Sequence, residues 1–249
     1  MNETKKRVAI VAAMPEELSA LLQAMPPGPP VQRAGRTFWL GHWCGHEVVA
    51  VLSRIGKVAA ATTTTVLLTE FGVDRVLFTG VAGGLSEGVR VGDVVVANAL
   101  LQHDMDASPL FPRYELPGLG VDRLQANADL VALAVQAATE VLGEAHRHGL
   151  AASTSRVHQG LVVSGDVFVD TTIESEALHL ALPDALAVEM EGAALAQVCH
   201  DFGVPFAVIR TISDRADDAA HVDFQRFVRE VASRYSLAMV RAVLSRLPP

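Results

Sequence analysis

The chain has only two cysteines, Cys44 and Cys199, in 249 residues. That is too few for a disulfide framework, and they lack metal-ligand spacing. They read as small buried hydrophobes in a reducing compartment. Cations are also scarce, with 20 Lys+Arg against 28 Asp+Glu and a formal net charge of −8. This balance argues against nucleic acid or an anionic membrane as the main partner. No apolar run reaches the roughly 18 residues that a bilayer-spanning helix needs. Lys5-Lys6-Arg7 before Val8–Met14 imitates the start of a signal peptide. Pro15-Glu16-Glu17 then stands where a longer apolar stretch and a cleavage site belong, so the segment reads as a buried strand of a cytoplasmic protein.

Several catalytic signatures are missing as well. There is no G-x-x-x-x-G-K-[ST] phosphate loop, no dinucleotide fingerprint and no Gly-x-Ser-x-Gly nucleophile elbow. His146 and His148 fall in a charged, solvated stretch. His103, Asp104 and Asp106 offer potential metal ligands, but three residues in one short loop are weak evidence. The expectation is acid–base chemistry with neither metal nor cofactor.

Half of the residues are hydrophobic and 19% are charged, a composition that excludes disorder. A chain this long buries roughly three quarters of its extended surface on folding, enough for one sizeable core. Short apolar runs alternate with helical patterns. Val8–Ala13 reads as a strand, followed by a helix from Pro15 with Leu18, Leu21, Leu22 and Met25 on one face. Thr37–Trp43 and Glu47–Ser53 read as a hairpin turning at Gly45-His46. A helix from about Val58 to before Gly72 precedes strands at Arg75–Thr79 and Gly92–Leu101. Met105–Gly120 is a long Pro-rich loop. Next come a helix over Asn127–Leu142, a strand over His158–Phe168, a helix over Gly192–Phe202 capped by Gly203, and a strand over Phe206–Ile212. A last helix carries Phe224, Phe227, Val228, Val231 and Tyr235. There is no internal repeat and no low-complexity linker. The pattern predicts one α/β domain over residues 1–249, structured from about 8 to 247, with a mixed, mostly parallel sheet flanked by helices.

Ligands of open α/β sheets bind beyond the carboxyl ends of the strands. The tips here are Glu16-Glu17, Ile55-Gly56-Lys57, Gly80–Gly84, His103–Asp106, Ser164-Gly165-Asp166, Glu189-Met190-Glu191 and Arg210–Asp214. Most carry carboxylates and few carry cations, which suits a polyhydroxylated or protonatable ligand better than a polyphosphate. Gly80–Gly84 reads either as a tight strand-to-helix turn or as backbone bared for a flat ligand. Glu191 is either a first-turn acid favoured by the helix dipole or a cleft residue, since apolar neighbours flank it. Asp214 is an N-cap or a site acid, and Arg210 a structural ion-pair partner unless it faces the cleft.

Ala12–Glu17, Ser53–Ala60, Thr79–Gly84, Val91–Val96, Val163–Asp166, Ala187–Glu191 and Ile212–Asp214 occur in an order that resembles the 5′-methylthioadenosine/S-adenosylhomocysteine nucleosidases, within the nucleoside phosphorylase superfamily. The resemblance spans Val8 to about Leu247 and implies that superfamily's three-layer fold. It implies hydrolysis of the N-glycosidic bond, with Glu17 as the base that activates water and Asp214 as the acid at adenine N7. By the same resemblance Glu191 holds the ribose hydroxyls, Met190 packs beneath the sugar, Phe168 stacks on adenine and the Val169 backbone reads its edge. Gly83 offers backbone, Ile55 and Phe224 line the alkylthio end, and Arg210 orients carboxylates near the water. It further implies a homodimer in which Leu110 or Phe111, on a loop about one residue shorter than the family pattern, closes the neighbour's site.

The sequence departs from that pattern at Val81, where many relatives have Ser, at Arg54, where they usually have Gly, and at Arg215, a bulky cation after the acid. Arginines hold phosphate in the phosphorolytic relatives, but in an anion loop after the first strand. Met14-Pro15-Glu16-Glu17 occupies that place here, and a carboxylate there repels phosphate. Hydrolysis is therefore the expectation. A purine nucleoside phosphorylase, a futalosine-type nucleosidase and a non-catalytic nucleoside-binding protein are the alternatives.

Overall fold

Residues 7–12 form strand β1, which pairs with a parallel neighbour on each side and is buried almost throughout. The computed structural model describes residues 6–26, 28–148, 154–227 and 233–248, and only the backbone of Val222, Asp223, Gln225 and Arg226. After β1 (Arg7–Ala12) come α1 (Pro15–Ala24), β2 (Val31–Arg33), β3 (Arg36–Trp43), β4 (His46–Leu52), α2 (Lys57–Glu70) and β5 (Val73–Gly84). These are followed by β6 (Val94–Gln102), β7 (Leu124–Gln125), α3 (Ala128–Arg147), β8 (Val157–Ser164), α4 (Thr172–Ala181) and β9 (Ala185–Glu189). The chain continues with α5 (Gly192–Phe202), β10 (Phe206–Asp214), α6 (Ala220–Phe227) and α7 (Ser233–Leu244).

One mixed sheet organises the molecule. Strand β5 pairs in parallel with β1 and β10, β10 runs antiparallel to β6, and β6, β8 and β9 follow in parallel. Strand β9 then returns antiparallel onto Gly83 and Gly84 at the end of β5, closing a circuit. The period-two alternation of β1 explains the three layers. Val8 and Ile10 pack with Leu18 of α1, Ala134 of α3 and Met239 of α7 on one face. Ala9 and Val11 pack with Leu67 of α2 and Leu195 of α5 on the other. Each buried Val, Ile, Leu or Met among these contributes about 1.5–3 kcal/mol, and each Ala less. No described helix is long and apolar enough to cross a membrane.

Some local expectations shift. The hairpin turns at Cys44-Gly45, both at positive φ, while His46 already belongs to β4 and lies 3.1 Å through Nε2 from the Leu244 carbonyl. Gly80–Gly84 is neither a turn nor a helix start, because β5 runs straight through it. Strand β8 stops at Ser164 instead of reaching Phe168. Helix α4 buries none of its residues, so it shows no strong apolar stripe in sequence. The final helical pattern falls on α6 and α7, with Val228 and Val231 outside the described residues. The Pro-rich loop is partly anchored to its own domain: Leu116 is buried in the core, Leu119 packs against it, and Leu110 and Phe111 remain exposed.

Candidate active site

At the carboxyl ends of β1, β5, β9 and β10 lies a cavity of about 420 Å³. Glu17, Glu191 and Asp214 line it from three separate segments, together with Ile55, Gly83, Phe168, Val169, Met190 and Phe224. Nine of the expected site residues are thus in one place. Arg210, Leu110 and Phe111 are not on its wall.

Glu17 is placed by the start of α1. Pro15 occupies the first turn, where a missing N–H costs nothing, and the Glu17 side chain folds back over the helix N-terminus. Its Oε2 accepts from the Ala13 and Met14 amides, both at 2.9 Å, and its Oε1 accepts from the Val81 amide at 3.1 Å. Burial nevertheless pushes its pKa up, against the lowering pull of Arg210 and the three amides.

Two glycines of β5 give the carboxylates room. A Cβ at Gly80 would lie 2.9 Å from Glu17 Oε1 and 3.0 Å from Arg210 Nη1. At Gly83 it would lie 2.9 Å from Asp214 Oδ1 and 3.0 Å from the Ala216 Cβ. These glycines are required by space, since neither has a positive φ.

Glu191 and Glu189 divide the work at the start of α5. Glu189 accepts from the Gly192 amide at 2.9 Å, from the Glu191 amide at 3.2 Å and from the Ser164 hydroxyl, and its Oε2 lies 2.6 Å from Arg210 Nη2. It thereby satisfies the helix N-terminus. Glu191 sits at the N-cap position without capping. Its carboxylate is turned into the cavity and accepts from the Gly56 amide at 2.8 Å. Burial first, then repulsion from Glu189, raises its pKa to about 8. The sequence reading singled out Glu191 but gave Glu189 no role, although an acid just before a helical pattern is itself a capping signal.

Asp214 ends β10, with Oδ2 accepting from the Ser213 hydroxyl at 2.7 Å and Oδ1 from the Ala216 amide at 2.9 Å. Arg210, four residues earlier on the same strand, is 1% exposed, with its guanidinium 4.0 Å above the Phe78 ring. It reaches the carboxylates from behind the wall. Its Nε and Nη1 have no hydrogen-bond partner. At the apolar end, Phe168 and Phe224 meet edge to face with centroids 5.5 Å apart.

The three departures face different ways. The Val81 side chain is on the wall. Arg54 turns out to the Gly35 carbonyl, and Arg215 to the carbonyls of Ser86 and Val89. Among the described residues that line the cavity there is no lysine or arginine. Nor do three described His, Cys, Asp or Glu side chains group as a metal site would require.

Known proteins share this arrangement of strands. The sequence pattern of the phosphorylase superfamily matches residues 7–245. The chain belongs to that superfamily. A 5′-methylthioadenosine/S-adenosylhomocysteine nucleosidase of Geobacillus thermodenitrificans is 39% identical over 240 residues, 96% of either chain. Among solved structures, the nucleosidase of the same name from Neisseria meningitidis, bound to methylthio-immucillin-A, is 35% identical with a TM-score of 0.88. That match covers 97% of this chain and 100% of the other. Futalosine hydrolase of Helicobacter pylori is 34% identical with a TM-score of 0.85, covering 97% and 98%. Within the superfamily, this chain is therefore similar to members that bear hydrolase and nucleosidase names.

Proposed function

We propose that the protein is a nucleosidase that hydrolyses the N-glycosidic bond of 5′-methylthioadenosine and S-adenosylhomocysteine, releasing adenine and the thioribose product. The observation that carries this reading is the convergence of Glu17, Glu191 and Asp214 on one cavity whose described wall holds no lysine or arginine. No lysine or arginine on that described wall stands ready to hold a phosphate nucleophile, whereas neutral water needs no such partner. Three relatives named above support the same choice.

Cleavage of the bond leaves cationic character on the ribose, as glycoside hydrolysis does. Adenine departs poorly as an anion, so Asp214 gives a proton to N7. General acid catalysis of this kind contributes roughly 10²–10⁴-fold. Glu17, held by three amides, takes the proton of the attacking water. Glu191 accepts from the ribose hydroxyls and places negative charge beside the developing cation. Met190 supports the sugar, Phe168 stacks on the base, the Val169 backbone reads its edge, and Ile55 and Phe224 receive the alkylthio group. Arg210 acts from behind, through Glu189 and the field it exerts on Glu17 and Glu191. A second copy of the chain completes the alkylthio end with Leu110 or Phe111.

The test is release of adenine from a nucleoside panel with and without inorganic phosphate. The proposal expects phosphate-independent cleavage of 5′-methylthioadenosine and S-adenosylhomocysteine. A phosphate requirement overturns it in favour of a phosphorylase, and exclusive cleavage of futalosine-type nucleosides favours the second reading.

A further inference from the structure

We infer that Arg215 is a positioning residue that locks the Asp214 carboxyl at the leaving group by gripping two carbonyls of a neighbouring turn. The inference rests on the reading of Asp214 as the general acid. Asp214 is the last residue of β10 and lines the cavity, while Arg215, the first residue past the strand, is not on that wall. The Arg215 Nη1 donates to the Ser86 carbonyl at 2.8 Å and to the Val89 carbonyl. Those two carbonyls bracket one tight turn, closed by the Val89 amide donating to Ser86 at 3.0 Å.

That turn is a firm support. Its continuation is hydrogen-bonded to β10, with the Gly92 amide donating to the Ile212 carbonyl at 2.9 Å and the Ile212 amide to the Asp93 carbonyl at 2.8 Å. The Asp93 side chain is 2% exposed. It accepts from the Arg90 amide at 3.0 Å and the Arg156 amide at 2.9 Å, and lies 2.7 Å from His158 Nε2.

Past Ile212 the strand stays on β5, with Asp214 paired to Gly83 and the Ser213 hydroxyl donating to the Ala82 carbonyl at 3.3 Å, and Arg215 adds a hold on the turn. The register between β10 and β5 shifts between Ile212 and Asp214, and the backbone turns at Ala216 with φ +51°. Arg215 lies between those irregularities. Its guanidinium ties the segment that bears the acid directly to the supported turn. Charged donors make the stronger hydrogen bonds, and a planar guanidinium is preorganised for more than one acceptor. The consequence concerns the leaving group alone, because Glu17 and Glu191 are held by other segments.

The experiment compares two substrates in Arg215→Met, which keeps an apolar stem and removes the guanidinium. One is 5′-methylthioadenosine, whose base must be protonated to leave. The other is 4-nitrophenyl 5-methylthioriboside, whose phenolate leaves without a proton. The expected result is a fall in kcat of roughly 10- to 100-fold on the adenine nucleoside, the cost of misplacing a reacting group by up to about 1 Å. KM should stay within about twofold, and the nitrophenyl substrate should lose less than about threefold. Wild-type kcat on the adenine nucleoside, or an equal loss on both substrates, overturns the inference.

Arg215→Lys makes the same comparison if the Met variant does not fold. An intermediate loss confined to the adenine nucleoside supports the inference, while no loss or an equal loss overturns it. Asp214→Asn is run alongside. If it is inactive on adenine nucleosides while Arg215→Met is fully active, the inference alone fails. Full activity of Asp214→Asn overturns the acid assignment, and the inference with it.

Discussion

Arg210 Nη2 lies 2.6 Å from Glu189 Oε2, and both side chains are almost wholly withdrawn from water. Glu189 itself lines the cavity beside Glu17, Glu191 and Asp214, and the guanidinium behind them also moderates Glu17 and Glu191. Removing one member of a buried ion pair strands the other, at about 3–5 kcal/mol. Arg210→Met should therefore lose about that much stability in urea unfolding, and Glu189→Gln in the same chain should recover part of it. A loss below about 1 kcal/mol would show that Glu189 finds compensation elsewhere.

The pKa of Glu191, raised from 4.5 to about 8, has two readable consequences. A carboxyl raised on folding binds more protons folded than unfolded between those values. Its contribution to stability is therefore present in acid and lost as pH rises from about 4.5 through 8. The free protein should melt at lower temperature across that window, and Glu191→Gln should flatten the decline. Ribose hydroxyls that donate to the carboxylate favour its charged form, so ligand binding at pH 7 should release a proton. Titration calorimetry in two buffers of different ionisation enthalpy detects this. A 7-deaza nucleoside serves as ligand because it has no N7 to exchange a proton with Asp214. Proton uptake, or none, would contradict the assigned role.

Asp214→Asn and Glu17→Gln both keep hydrogen-bonding capacity and lose proton transfer. Each should lower kcat at least ~10²-fold, the lower end for a lost acid or base. KM should change far less. Steady-state kinetics on 5′-methylthioadenosine decides, and a near-wild-type kcat removes that residue from the chemistry.

Much of this site was legible because its residues lie at the ends of strongly apolar strands. Val8–Ala13 and Phe206–Ile212 could hardly be anything else, and the acids follow them at once. Of the two readings of Gly80–Gly84 the turn fails, because β5 continues through it and the missing Cβ atoms of Gly80 and Gly83 accommodate Glu17 and Asp214, contributed by distant segments. Local sequence does not carry that information. The same holds for Glu189 and Glu191: two acids at one helix start look alike until Arg210 arrives from β10 and selects one as its partner. In sequence Arg54 raises the question of a phosphate ligand and Arg215 stands out as a bulky cation after the acid, and only tertiary structure shows both turned onto backbone carbonyls.

The glycine argument makes its own forecast. Gly80→Ala should displace Glu17, and Gly83→Ala should displace Asp214, from the contact distances at each position. Each should lower kcat by about tenfold or more, as small misplacements of catalytic groups do. Gly83→Ala should spare the 4-nitrophenyl substrate, which needs no acid, and Gly80→Ala should not. Equal behaviour of the two variants on both substrates would mean that the glycines serve packing alone.

The end of the cavity proposed to receive the alkylthio group is open to solvent in the single chain. Ile55 is 57% exposed and Val167 50%, both on its wall. On the Pro-rich loop, Leu110 is 83% exposed and Phe111 38%, while Leu116 roots the same loop in the core. Under the proposed function Leu110 or Phe111 closes the neighbour's site, so light scattering should find a dimer at micromolar concentration. Burying a phenylalanine side chain contributes about 1.5–3 kcal/mol, equivalent to roughly 10- to 100-fold in affinity. Phe111→Ala should raise KM for 5′-methylthioadenosine toward that range and affect adenosine, which has no thioether tail, much less. A monomer with full activity would refute the shared site. An equal effect on both nucleosides would move Phe111 away from the tail, leaving Leu110 as the residue that reaches across.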